Sequence, residues 1–237
     1  MSADTIVGYF GEDKFFEWFS AVAWFAAAVL FGMALQAVIR RPGLVHPVWY
    51  FGLLAITFIA AGEEISWGQR LFDYETPAVI ANSNLQGEMN LHNLELFDVR
   101  TSVDGDHKTG IQRWLTFGRM GSLIWIGFLV ILPLATKFIP PMARFFGWAR
   151  VPVPPIQLAY FGIVGYMSFL VIDALNGPVL DGDEQSIKFA IKFAINEYKE
   201  TLVAALFLCA AIYLFMRERH ATATEMTRSG ASASAVD

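Results

Sequence analysis

Long apolar runs broken by short polar blocks dominate the chain, at intervals that fit membrane-spanning helices. About 20 mostly apolar residues are needed to cross a hydrocarbon core. Five segments reach that length, at about 15–39, 47–71, 114–138, 156–176 and 198–216. Trp18, Trp49, Trp67, Trp114 and Trp148 fall near their ends, as an interfacial aromatic belt requires. The pattern predicts an all-α polytopic integral membrane helix bundle of about five spans, forming a single domain over 1–220. Residues 221–237 are small and polar and read as a disordered tail. Before the fifth span, Lys188, Lys192, Asn196 and Lys199 recur near helical period, which fits either an amphipathic surface helix or an extension of that span.

Loop charges give an expected orientation. Arg40, Arg41, Lys137, Arg144, Arg150, Arg217, Arg219 and Arg228 fall on one side. Asp73, Glu75, Glu95, Asp98, Asp104, Asp106, Asp181, Asp183 and Glu184 fall on the other. The positive-inside rule then predicts an N-out, C-in protein with a cytoplasmic tail and one long extracytoplasmic loop over about 72–112. Asp4, Glu12 and Asp13 stand where a signal peptide would be basic, so the first apolar run is expected to remain as a span. These features suggest a bacterial inner (plasma) membrane.

Composition agrees with this reading. Only 16% of the 237 residues are charged, against about 25% in soluble domains. The net charge of -5 gives no basis for nucleic-acid binding. Cys209 has no intrachain disulfide partner and is expected to be a small buried apolar residue.

Candidate chemistry lies in two polar blocks. The first, Glu63-Glu64-Ile65-Ser66-Trp67-Gly68-Gln69-Arg70, ends the second apolar run. The second is Asn84-Leu85-Gln86-Gly87-Glu88-Met89-Asn90-Leu91-His92-Asn93 in the outer loop. Glu63 and Glu64 lie roughly 24 Å along their span, near its outer boundary. Asp173, Asn176, Asn196, Glu197 and Glu200 belong to the same depth in the topology. Ionisable groups at a membrane boundary are costly and mark functional candidates.

Close carboxylates need a cation, protons or basic partners. Glu88 and His92 are four apart, and Glu197 and Glu200 three apart, spacings that share a helix face. Carboxylate-rich helical sets of this kind resemble the ligand pattern of dimetal bundles. The expected metal ligands are Glu64, His92, Asp173, Glu197 and Glu200. The cofactor they fit is a divalent metal (manganese, iron, calcium or zinc), with oxygen-rich ligation favouring manganese or calcium over zinc. Expected catalytic groups are Glu64 and His92, with Glu63 and Glu88 as second choices; His92 is the candidate general base. Trp67, Gln69 and Arg70 would hold a polar headgroup. No nucleophile elbow, phosphate-binding glycine loop or His-Glu-x-x-His pair occurs.

Two functions follow as expectations. One is a metal-dependent enzyme acting on a lipid or lipid-linked substrate at the membrane surface. The other is a small transporter, or an accessory or structural subunit of a membrane complex, whose acids handle protons or cap the bundle. Membrane lipids, and a membrane protein partner or a second copy of the chain, are the corresponding partners. A plain salt-bridged cap, with Arg70, Lys192 or Lys199 neutralising nearby acids, accounts for the same residues without chemistry.

Overall fold

The computed structural model describes residues 15–40, 45–84, 87–94, 96–97, 114–176 and 184–233. The described residues are helical apart from turns, loops and one isolated bridge between Asn84 and Leu94. α1 (Phe15–Ile39) and α2 (Val45–Glu64) form the first hairpin. A 3₁₀ turn (Ser66–Gly68) and two one-turn helices, α3 (Gln69–Phe72) and α4 (Ala78–Ala81), lead into the loop that follows. α5 (Phe117–Phe138), α6 (Pro140–Trp148), α7 (Ile156–Asn176) and α8 (Glu184–Ala233) complete the chain.

Three helical segments among the described residues are long and apolar enough to cross a membrane: α1, α5 and Ala194–Thr224 within α8. Many large apolar side chains face outward, including Phe25, Phe51, Phe58, Phe161 and Met167. A soluble bundle would bury such a surface, whereas lipid tails accept it.

α1 is the central helix and packs against both α2 and α8, and α7 bridges α8 to α5. Ser20 meets Thr201 at 3.0 Å and the Trp24 ring lies 4.9 Å from that of Phe207, so α1 and α8 run the same way. Trp125 meets Tyr166 while Val130 lies beside Gly162, and Tyr198 meets Phe169 while Leu202 lies beside Gly165, so α7 is antiparallel to both α5 and α8. Helix direction therefore alternates along the chain through α1, α2, α5, α7 and α8, while the packed pair α1 and α8 is parallel. Phe31, Tyr50, Leu129, Phe207 and Leu214 are its largest fully buried apolar side chains.

Two local features let the helices approach. Gly165 faces Leu202, and a methyl group at residue 165 would overlap the leucine side chain. Small residues at helix crossings permit close backbone packing where the solvent is lipid. In α5, Pro133 cannot donate to its own helical ladder and crowds the preceding turn. The chain answers with a π-helical stretch over Ile126–Ile131, in which Leu132 N–H reaches back to Gly127 O.

Three sequence expectations change, and one open alternative is decided. The second apolar helix ends at Glu64 instead of continuing to residue 71, because Ser66, Trp67 and Gly68 all take positive φ (45°, 53° and 91°). The lysine-bearing segment over 187–196 is continuous with the last helix. That helix extends to Ala233, across residues that composition assigns to a disordered tail. Cys209 is exposed on α8 and not buried, so it lies on the apolar outer surface instead of in the core.

Candidate functional site at the loop-covered end

The break after α2 builds this end of the molecule. Non-glycine residues in the left-handed region each cost about 1–2 kcal/mol and persist only when neighbours hold them. Here the turn folds the Trp67 indole back over Gly62, where an added methyl would lie 3.0 Å from the ring. The indole N–H then donates to Glu63 Oε1 at 2.6 Å. Tyr74 Oη donates to Trp67 O at 3.1 Å and pins the turn from the loop side.

Glu63 is only 5% exposed. Its Oε2 accepts the backbone N–H of Leu91 at 2.7 Å and of His92 at 2.9 Å, with His92 Nδ1 at 3.2 Å. Two successive amides facing one oxygen form a small anion-binding nest. With the indole, four donors surround the carboxylate and offset the cost of burying it.

Glu88 completes the join from the other direction. Its Oε2 accepts from Ser66 Oγ at 2.8 Å and Asn90 Nδ2 at 2.9 Å. Asn84 Nδ2 donates to Asn90 O and Oδ1, both at 2.9 Å, closing the loop on itself. Gln69 Oε1 accepts Met89 N–H at 2.8 Å, and its Nε2 donates to Thr76 Oγ1 at 2.9 Å. The His92 and Phe97 rings both pack near Phe117, which ties the loop to the start of α5. The two polar blocks thus bind each other.

Glu64, the next residue, has different company. Trp24 hydrogen-bonds its carboxylate, and its charged neighbours are Glu200, Glu197 and Glu17. These acids come from α2, α8 and α1. Glu200 interacts in turn with Lys199 and His92, and Asn196 Nδ2 donates to it at 2.8 Å. Lys199 Nζ donates to Asn196 Oδ1 at 2.9 Å.

Of the expected catalytic residues, Glu63, Glu88 and His92 therefore join the loop clamp, with Trp67 and Gln69 alongside. Glu64, Glu197 and Glu200 gather on the bundle side, joined by Glu17, which the spacing argument did not include. The side chains of Arg70 and Asp173 lie outside the described residues. Among the described residues, no three His, Cys, Asp or Glu side chains assemble as a group able to hold a metal.

A second polar network at the opposite end escaped the sequence analysis. Glu218 Oε1 accepts from Tyr50 Oη at 2.9 Å and from Arg217 Nη2 at 2.9 Å and Nε at 3.2 Å. His46 Nε2 lies 3.7 Å from the same oxygen. The available signal was Glu218 itself, a lone acid between Arg217 and Arg219 next to an apolar run.

No protein-family description, curated protein or solved structure matches the chain.

Proposed function

We propose that the chain is a five-span membrane protein that binds protons among Glu17, Glu64, Glu197 and Glu200. In this reading it serves as a small carrier or as the accessory subunit of a larger membrane complex. α2 and α7 supply the two spans beyond the three longest apolar helices. The observation that carries the proposal is the company of Glu64: three further carboxylates from two other helices. Like charges gathered in a partly desolvated place repel one another, and protonation relieves that repulsion.

The enzymatic alternative draws less support. A general base must present an oxygen or nitrogen to its substrate. Glu63 and Glu88 spend theirs on Leu91, His92, Ser66 and Asn90. These residues position the loop and do not meet a substrate in this arrangement. The Glu63 clamp then acts as a lid support over the Glu64 group.

Purified protein reconstituted into vesicles with a trapped pH dye tests the reading. Wild type should bind or pass protons, Glu64→Gln should lose this, and a folded Glu63→Gln should retain part of it. Equal behaviour of wild type and Glu64→Gln would reject the proposal. Elemental analysis of the same samples decides the competing reading. About one equivalent of divalent metal, lost in Glu64→Gln and His92→Ala, would favour a metal-dependent lipid enzyme.

A further inference from the structure

We propose that the end of the bundle opposite the loop carries a binding site for a phosphate group, supplied by an anionic phospholipid headgroup or by a soluble phosphate ester. A cavity of about 430 Å³ opens there, lined by His46, Thr136, Phe146, Arg150, Arg217 and Glu218 among others. Small-molecule sites commonly measure about 300–1,000 Å³.

Its charge is net positive. The single acid, Glu218, is already compensated by Tyr50, Arg217 and His46. Arg217 uses Nε and Nη2 on these partners and stays 38% exposed. A guanidinium carries five N–H donors, so Arg217 keeps donors for an incoming anion. Arg150 adds a second guanidinium, the group best suited to forked phosphate recognition.

Arg150 also stands where the backbone would favour glycine. It follows α6 with φ 50°, and Val151 N–H reaches back to Phe146 O at 3.0 Å, the closing bond of a helix C-cap. Keeping arginine there costs about 1 kcal/mol or more. The left-handed cap puts a cation at the cavity.

The surroundings match a membrane interface. α6 exposes Met142, Phe145 and Trp148. Trp49 Nε1 donates to Ala149 O at 3.0 Å, joining α2 to the end of α6. Short helices with aromatic edges and flanking arginine lie at headgroup depth. A headgroup can therefore enter from the side while its chains stay in lipid.

The test uses the full chain, delipidated in neutral detergent, titrated with short-chain phosphatidylglycerol and, separately, glycerol 3-phosphate. Native mass spectrometry counts bound molecules and thermal shift gives affinity. Binding of either probe, weakened about tenfold in Arg150→Gln, supports the site, since tenfold matches the loss of one charge-assisted hydrogen bond. Preference for phosphatidylglycerol identifies the lipid as source, and equal binding of glycerol 3-phosphate identifies a soluble ester. Ala143→Trp, which fills the cavity without removing charge, should abolish binding in either case. Absence of binding by both probes, or binding unchanged in both variants, would overturn the proposal.

Discussion

Glu63 holds His92 through its backbone and its ring at once, with the His92 N–H at 2.9 Å and Nδ1 at 3.2 Å from one carboxylate oxygen. The backbone bond does not depend on the imidazole, whereas every bond in the nest depends on the carboxylate. Removing the two residues should therefore have unequal effects.

Glu63→Ala leaves the Leu91 and His92 amides and the Trp67 indole without their acceptor. Stability should fall by about 2–5 kcal/mol, since each buried donor left unsatisfied costs about 1–3 kcal/mol. His92→Ala should cost only about 0.5–1.5 kcal/mol, the net value of an ordinary hydrogen bond. Chemical unfolding in detergent, with limited proteolysis of the loop, measures both. Equal losses would mean that the imidazole, and not the nest, secures the loop.

Gly62→Ala should drive the Trp67 ring away from α2, since the new methyl would sit 3.0 Å from it. Overpacking of this kind typically costs about 1–3 kcal/mol. In a Trp67→Ala background the same change should be nearly neutral or stabilising. A double-mutant cycle reads the coupling directly. Additive effects would place the ring elsewhere in the folded protein.

At the opposite end, Tyr50→Phe removes one donor to Glu218 and should cost about 1 kcal/mol. Glu218→Ala leaves the buried Tyr50 hydroxyl without its acceptor and removes the partner of a partly exposed Arg217, and should cost about 1–3 kcal/mol, more than Tyr50→Phe. Thermal unfolding of the two variants checks the order. If Glu218→Ala were the milder change, the network would not be a stabilising one.

Gly165→Leu should separate α7 from α8 by forcing Leu202 aside. The expected loss is at least that of ordinary overpacking, about 1–3 kcal/mol. Leu202→Ala should partly restore it by opening space for the new side chain. Failure of that rescue would indicate a different α7–α8 register.

The helical class and the apolar segments were legible because hydropathy alone carries them. The end of α2 was not. Residues 65–71 continue the run with helix-compatible types, and only Gly68 signals a turn. The decisive events, positive φ at Ser66 and Trp67, are held by specific side-chain bonds from nearby Glu63 and Tyr74 and from Glu88 in the later polar block, which periodicity does not encode. Topology placed acids from several segments at one depth but left open which faces meet. The structure divides the Glu63-Glu64 pair between two groups because adjacent helix positions point about 100° apart. The Glu218 network was missed for a similar reason. His46 and Glu218 stand far apart in the sequence, and only the folded bundle brings them together.

The most direct test of the account is infrared spectroscopy of the protonated carboxyl stretch across pH, comparing wild type with Glu64→Gln and Glu63→Gln. The account predicts a titrating carboxyl band that disappears in Glu64→Gln and persists in Glu63→Gln. A band that survives Glu64→Gln, or one that vanishes only with Glu63, would contradict it.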